Sequence, residues 1–553
     1  MFTFAGVLLA MFLGALDQTI VSTALPRIVT DLHGFDRFTW VATAYLVAST
    51  ALVPIYGKLA DMYSRRTIEV TAVCIFLVGS MLCGLAGEFG PLPLVGDGMN
   101  QLVLFRAVQG LGGAGLFAMA FIVIADLFPP AERGRYQGFT GAVFGLSSVL
   151  GPFLGGLLTD QGTNLIPGVA GWRLVFYVNL PLGLLALWFI LTQMPALRPP
   201  GQPKPFDYLS ALLLLAGLVP LVVALQLNRA AYGWTDPLTL GLLAGAAAAL
   251  AAFVRRSLHH ENPILDFSLF ENKVFRTANG ALFLLGGAFL GIIIFEPLFM
   301  VNVLGASATR AGVSLIPLSM GVVLGSLLAG RMVSRFGHYR RWMLGGIVVL
   351  LGGLSLLATM PVTVSYGQVL SYLLLCGLGL GPTMPLYTLA IQNAVEPRLT
   401  GQATSASQFF RQIGGAITAS VLGTVLTLTL AQSLPSAAAP RASVSRPAVI
   451  TEGSSPPAAG ASSPAVRAAF SRAISRVYLV NLCLVVGGLL MTLLVPELPL
   501  RKSNAPVTPV ADELPTARSR QLHPRPLSPG EGSHGGAEVE LKKKSQKSVP
   551  TLL

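Results

Sequence analysis

Residues 16–28 read LDQTIVSTALPRI, and they place Asp17 inside an apolar run that extends from Phe4 to Leu25. About 20 apolar residues suffice to cross a bilayer, so this run is a membrane span with a carboxylate near its middle. An Asp at that depth costs roughly 2.5–3.5 kcal/mol on insertion scales, and is expected to face a protein interior or a watery cavity. Asp17 is therefore the first candidate for function. The bland alternative is an acid that only hydrogen-bonds a neighbouring helix.

Working outward, the whole chain has the same character. Of 553 residues, 53% are hydrophobic and 11% charged, with 60 Gly, and the mean hydropathy is +0.68. Soluble domains carry about 25% charged residues, so the composition is that of an all-α membrane protein with many spans. The net charge of +13 then reads as Lys and Arg in loops on one side of the membrane, and not as a nucleic-acid-binding surface. Cys74, Cys83, Cys376 and Cys483 all fall in apolar runs without metal-ligand spacing, and are expected to be buried thiols. Nothing charged precedes Asp17, so the basic start of a cleavable signal is not evident. No GxxxxGK[ST] phosphate loop occurs, which argues against ATP hydrolysis by this chain.

Apolar runs of spanning length recur near 4–25, 38–58, 67–87, 101–125, 136–158, 174–193, 207–227, 237–254, 277–302, 311–331, 343–360, 367–392, 405–430 and 477–496. That is about fourteen. With the N-terminus inside, inner loops hold about three Lys or Arg for each one in the short outer loops (Arg27, Arg37, Arg173, Arg229, Arg310). Both termini are thus expected in the cytoplasm. Residues 433–470 are Ala, Pro and Ser rich and read as a flexible external loop. Residues 501–553 read as a disordered tail whose LKKKSQK could rest on anionic lipid. GKLADMYSRR (Gly57–Arg66) and GRMVSRFGHYRR (Gly330–Arg341) end the second and tenth spans alike. Duplicated halves suggest a transporter with its site between them.

On these residues the chain resembles the major facilitator superfamily, and within it the fourteen-span drug:proton antiporters of the EmrB/QacA type. The likeness covers about residues 4–496. It implies the major facilitator fold with spans arranged 6+2+6: a half over 1–200, an inserted pair over 201–262, and a second half over 263–500. LDQTIVSTALPRI resembles that subfamily's first-span signature, which implies that Asp17 is protonated and deprotonated during transport. LFRAVQGLGGAG (Leu104–Gly115) resembles RxxxQGxGxA. Its Arg106, Gln109, Gly110, Gly113 and Phe117 share one helix face, and Arg106 needs a partner, for which Asp17 is the best candidate. Gly110, Gly112 and Gly115 also spell GxGxxG, but no strand precedes them, so a dinucleotide site is rejected. GAVFGLSSVLGPFLGGLLT (Gly141–Thr159) resembles the antiporter signature GxxxGPxxGG, here Gly145, Gly151, Pro152, Gly155 and Gly156. Its stripe of small residues invites close helix packing.

GKLADMYSRR resembles the superfamily's loop motif, with Met62 and Ser64 departing from it. The resemblance implies a gate of Gly57, Asp61, Arg65 and Arg66, with Asp61 at the N-terminus of span thirteen near 404–408 and Arg65 against Asp126. WRLVFYVNLPLG (Trp172–Gly183) matches the subfamily's sixth span, with Trp172 as an interfacial anchor. GLGLGPTMP (Gly377–Pro385) reads as a bend beside a cavity, and QFFRQIGGA (Gln408–Ala416) opens span thirteen in the family manner. Glu296, before Pro297 in span nine, lies outside the family pattern. It is read either as a second proton or substrate-charge site or as a carboxylate at the outer boundary. His259, His260 and Glu261 read as solvated loop residues.

The expectation is a secondary transporter that exports small amphipathic or cationic drugs in exchange for protons. Asp17, Arg106 and Glu296 would couple the proton, and Gln18, Gln109 and Glu296 would meet substrate. No cofactor, metal or nucleic acid is expected, and no enzymatic chemistry, since no span offers a His and the acids are scattered. The protein is read as a monomer in a bacterial inner membrane, with an accessory export partner left open. A same-fold carrier of one metabolite, lipid or siderophore is the alternative.

Overall fold

In a bilayer every backbone N–H and C=O must be satisfied within its own segment, so apolar runs of this length fold as helices. The computed structural model describes residues 2–503 apart from 94, 167, 198–204, 228–231 and 434–463. It contains α1 (Phe2–Asp31), α2 (Phe38–Met62), α3 (Arg65–Gly84), α4 (Gly98–Leu127), α5 (Pro130–Leu165), α6 (Gly171–Tyr177), α7 (Asn179–Gln193), α8 (Tyr208–Gln226) and α9 (Pro237–His259). It continues with α10 (Lys273–Asn302), α11 (Ala308–Val313), α12 (Leu315–Phe336), α13 (Tyr339–Ala358), α14 (Tyr366–Leu380), α15 (Thr383–Ala394), α16 (Thr400–Ser433) and α17 (Pro464–Leu493). Among the described residues, fourteen stretches are long and apolar enough to span a membrane. The expected tail and most of the expected external loop lie outside the described residues, as does Arg229. Where 464–470 was read as loop, α17 has already begun at Pro464.

The breaks have local causes. Pro181 lacks the N–H that would close the preceding turn, and α6 gives way to α7 at Val178. The GLGLGPTMP run ends α14 at Leu380 and restarts as α15 at Thr383. Helix starts are capped by Asp97, Asp207, Asp236, Asn272 and Ser365 side chains that accept from first-turn N–H groups. Asp97 also accepts from Arg37, and these bonds hold its carboxyl below the usual range.

Packing repeats. Helix α1 lies against α5 and α7, and α10 lies in the same way against α16 and α17. Likewise α2 and α3 flank α4, as α12 and α13 flank α14. The α8–α9 hairpin rests on α2 and α16. At its foot Asp207 accepts from Arg256 and Ser210, with His260 at 3.5 Å. His260 is therefore not merely solvated. Burial works against the Asp207 charge, but these bonds outweigh it and hold the carboxyl down at about 2.

The two bundles touch through α2 on α16 and α5 on α12. Both contacts use the duplicated glycines. A Cβ on Gly57 would stand 2.7 Å from the Gly401 carbonyl, and one on Gly330 would collide with the Gly134 backbone. These contacts lie toward the end where α2 turns into α3, called here the basic end for its Lys and Arg. The small-residue stripe of α5 divides between two neighbours. Gly141 and Gly145 face Ser326, Val323 and Ser319 of α12, whereas Gly151 and Gly155 face Thr19, Ile20 and Thr23 of α1. Among the described residues Gly156 has no neighbour that a Cβ would meet, so their packing does not need a glycine there. Pro152 is exposed, and the helix runs on past it. Cys83 and Cys376 are buried, but Cys74 and Cys483 are exposed. Each of these two lies on the outward face of its helix, which the apolar run alone does not distinguish.

Candidate functional site

Asp17 is fully buried, and it is not alone. Arg106 Nη1 donates to its Oδ2 at 2.6 Å. Gln109 Nε2 donates to Oδ1 at 2.8 Å, and Asn179 Nδ2 to the same oxygen at 3.1 Å. Arg106 Nη1 also donates to Gln109 Oε1 at 2.7 Å, its Nε points to the Val41 carbonyl at 3.3 Å, and its guanidinium lies 4.4 Å over the Tyr45 ring. Asn179 is steadied in turn by Ser80 Oγ, 2.9 Å away. The set draws on α1, α2, α3, α4 and α7. Glycines let these backbones close up. A Cβ on Gly79 would press on the Gln109 backbone at 2.6 Å, and one on Gly113 would run into Tyr45.

Chemically this is a carboxylate whose charge is balanced by one guanidinium and shared with two amides. A proton on Asp17 would cancel the attraction to Arg106 and leave that cation with neutral partners. Sequence reasoning missed Asn179 and Tyr45, because NLP and TAY carry no charge signal. Gln109 was assigned to substrate, but it is fully buried with its amide spent on Asp17 and Arg106. Gln18, next to Asp17, is exposed.

At the basic end, Asp61 Oδ1 and Oδ2 accept from Gly401 N and Gln402 N, each at 2.8 Å. An anion at a helix N-terminus is favoured by the aligned peptide dipoles. The expected position near 404–408 is thus corrected to the first turn of α16, where N–H groups lack intrahelical partners. Arg65 Nε donates to Asp126 Oδ2 at 2.7 Å, and its Nη2 is 3.6 Å from Asp61. Arg66 does not join this cluster. It is turned outward and donates to the Leu191 carbonyl at the end of α7. The second copy of the motif is simpler: Ser334 Oγ accepts from Arg135 N in the first turns of α5 at 3.0 Å.

Glu296 is fully buried and receives the Tyr478 hydroxyl at 2.6 Å on Oε2, while Oε1 has no partner among the described residues. A solvated carboxylate at the outer boundary does not fit that burial. Trp172 is likewise buried, donating to Asp31 at 2.8 Å, and is not an interfacial anchor. Glu69 on α3 was not singled out from the sequence, since it follows the Arg pair closely enough to pass for a loop acid. It is fully buried with neither oxygen bonded among the described residues.

Between the bundles lies a small cavity of about 50 Å³. Phe144 of α5 faces Leu282, Leu285 and Phe289 of α10, with Met384 of α15 and Arg411 of α16 completing the wall. Glu296 and Gln109 are not among its lining residues. Among the described residues, no group of three His, Cys, Asp or Glu is placed to hold a metal ion.

Residues 7–419 match the Major Facilitator Superfamily. The chain is 39% identical over 426 residues to "Multidrug resistance protein 3" of Bacillus subtilis (strain 168), covering 77% of this chain and 79% of that one. It is 38% identical over 421 residues to "Multidrug transporter protein MdtP" of the same organism, covering 76% and 74%. Its fold is similar to the solved proton:xylose symporter XylE, with a TM-score of 0.58 at 15% identity over 90% of this chain and 96% of that one.

Proposed function

The chain belongs to the Major Facilitator Superfamily of multi-pass membrane transporters, and we propose that it exports small amphipathic molecules in exchange for protons. One observation carries the exchange reading: a fully buried Asp17 bonded by Arg106, Gln109 and Asn179. Intramembrane acids of this kind mark ion and proton pathways. The likeness to bacterial multidrug transporters supports export.

In this reading the Asp17–Arg106 pair is the proton-coupling element. With Asp17 ionised, the pair is neutral and ties α1 to α4. Protonation frees Arg106, and the cost of a buried, unpaired guanidinium is relieved by a rearrangement of the first bundle. Asp61, Arg65 and Asp126 hold the basic end shut until then, and the glycines of α2, α5, α12 and α16 let the bundles rock on close backbone contacts. By the positive-inside rule the basic end is cytoplasmic, with both termini on that side of a bacterial inner membrane. Each proton moving inward is driven by about 2.3 kcal/mol per 100 mV. The work is that of a monomeric carrier in the bilayer, without a cofactor and without enzymatic chemistry; an accessory export partner is left open. The repeated packing supports reading the spans as 6+2+6.

Cargo charge is a separate matter. A cationic preference rested on Glu296, which faces Tyr478 and not the cavity. The apolar cavity walls support an amphipathic cargo.

Purified protein in proteoliposomes with an entrapped pH dye tests the coupling. Amphipathic drugs are expected to move protons in wild type and not in Asp17→Asn. Equal proton movement in both would overturn the role of Asp17.

A further inference from the structure

Two buried arginines of the first bundle and its gate pair with acids, whereas buried Arg133 donates to the Phe128 and Ala125 carbonyls. Arg106 has Asp17, and Arg65 has Asp126. Arg411 has none. It is the one charged residue among those lining the cavity between the bundles. Among the described residues its buried Nε has no hydrogen-bond partner, and Nη2 reaches only Gln408 Oε1 at 3.3 Å. Among the described residues no Asp or Glu pairs with it, and Gln408 is its own helical neighbour.

An intramembrane charge is expensive, and such residues are almost always paired with an opposite charge or with backbone carbonyls. A guanidinium is also a planar fork suited to a carboxylate, and is poorly replaced by lysine at such a site. Apart from Thr383, the rest of the wall is apolar, drawn from both bundles: Phe144 from one side, and Leu282, Leu285, Phe289 and Met384 from the other. Gly286 supports the placement, since a Cβ there would stand 3.2 Å from Arg411 Cα. The close approach of α10 and α16 keeps Arg411 at the wall. What the site lacks is an anionic oxygen on an apolar body.

We propose that this cavity binds small amphipathic organic anions, carboxylates or phenolates carried on aromatic rings, with Arg411 receiving the anionic oxygen and Phe144 and Phe289 flanking the rings. This rests on the reading above that the chain exports amphipathic molecules, and it names their charge. The occupant touches both bundles, so it can hold them together or release them as it comes and goes.

The test uses the full chain in lipid nanodiscs, titrated calorimetrically with 2-naphthoate, its neutral amide 2-naphthamide, and the cation 2-naphthylmethylammonium. Wild type is expected to bind naphthoate about tenfold or more tighter than the ammonium, in line with one charge-assisted contact. Arg411→Gln is expected to lose about tenfold on naphthoate while naphthamide stays within about twofold, and Arg411→Lys to recover part of the loss. The proposal is overturned if wild type binds the ammonium as tightly as naphthoate, or if none of the three binds. It is also overturned if Arg411→Gln leaves the charge preference unchanged, or weakens naphthamide as much as naphthoate, which would mark Arg411 as structural. The export reading fails separately. Proton movement that depends on Asp17 keeps that reading whatever naphthoate does, and its absence removes it.

Discussion

Two buried carboxylates sit on the leading helices of the two bundles, Asp17 on α1 and Glu296 on α10, and they are solved differently. Asp17 is bonded on both oxygens and balanced by Arg106. Glu296 has a neutral donor on one oxygen and, among the described residues, nothing on the other. The helices that supply the partners correspond, α7 giving Asn179 and α17 giving Tyr478. Where α4 gives Arg106, however, α14 offers Cys376. A proton arriving at Asp17 breaks a salt bridge between helices. A proton leaving Glu296 would create an isolated charge in an apolar enclosure, which is far more costly than leaving a paired one. On the proposed reading, the repeat supplies one site that changes charge and one that keeps a single state.

The largest effect should come from removing the cation. Arg106→Met leaves Asp17 buried without its counter-charge, and breaking a buried pair from one side costs about 3–5 kcal/mol. Thermal unfolding in detergent should show a marked loss. The double variant Asp17→Asn with Arg106→Met should recover much of it, because both charges are then gone. If the double variant is as unstable as the single one, the two residues are not an energetic pair and the contrast collapses.

The second bundle should respond less. Glu296→Gln keeps an oxygen for the Tyr478 hydroxyl and is expected to change stability by under about 1 kcal/mol, whereas Tyr478→Phe should cost about 1–2 kcal/mol through a lost bond in a buried site. Proton movement in liposomes should survive Glu296→Gln. If it does not, Glu296 is a working proton site after all, and the two bundles share the task.

Much of this could be read from the residues, for identifiable reasons. Hydropathy placed all fourteen spans, because a bilayer admits few alternatives to long helices. The Asp17–Arg106 contact could be anticipated because each is too costly to bury alone. Partners without charge were invisible: Asn179 and Tyr478 are 162 and 182 residues from the acids they bond, and nothing in helical period says which helix will face which. Glu69 and Arg411 escaped notice for the opposite reason. Each carries charge, but beside Arg66 or within QFFRQIGGA that charge looked like loop chemistry or family likeness. Only burial distinguishes them. The glycine run of α5 shows the same limit, since its spacing announces close packing but not that Gly145 meets α12 while Gly151 meets α1.

The finest division between the bundles lies at the basic end. There the duplicated motif presents Asp61 to α16 and Ser334 to α5. Asp61 brings a charge and accepts two N–H groups in the first turn of its target helix, so closure there gains charge-assisted bonds and the helix dipole. Ser334 brings a neutral hydroxyl, which accepts from Arg135 N and donates weakly to the Glu132 carbonyl at 3.5 Å. Spin labels on α2 and α16, and on α5 and α12, would report how often each contact opens. Asp61→Asn should raise the open population by about tenfold, as expected for losing about 1–2 kcal/mol of a charged contact, and Ser334→Ala by no more than about fivefold. If the bundles rock as bodies, as proposed, either variant should be seen at both label pairs. A response confined to the mutated pair would mean that the two contacts open independently. Equal responses to the two variants would mean that the charge on Asp61 adds nothing to closure and serves Arg65 alone.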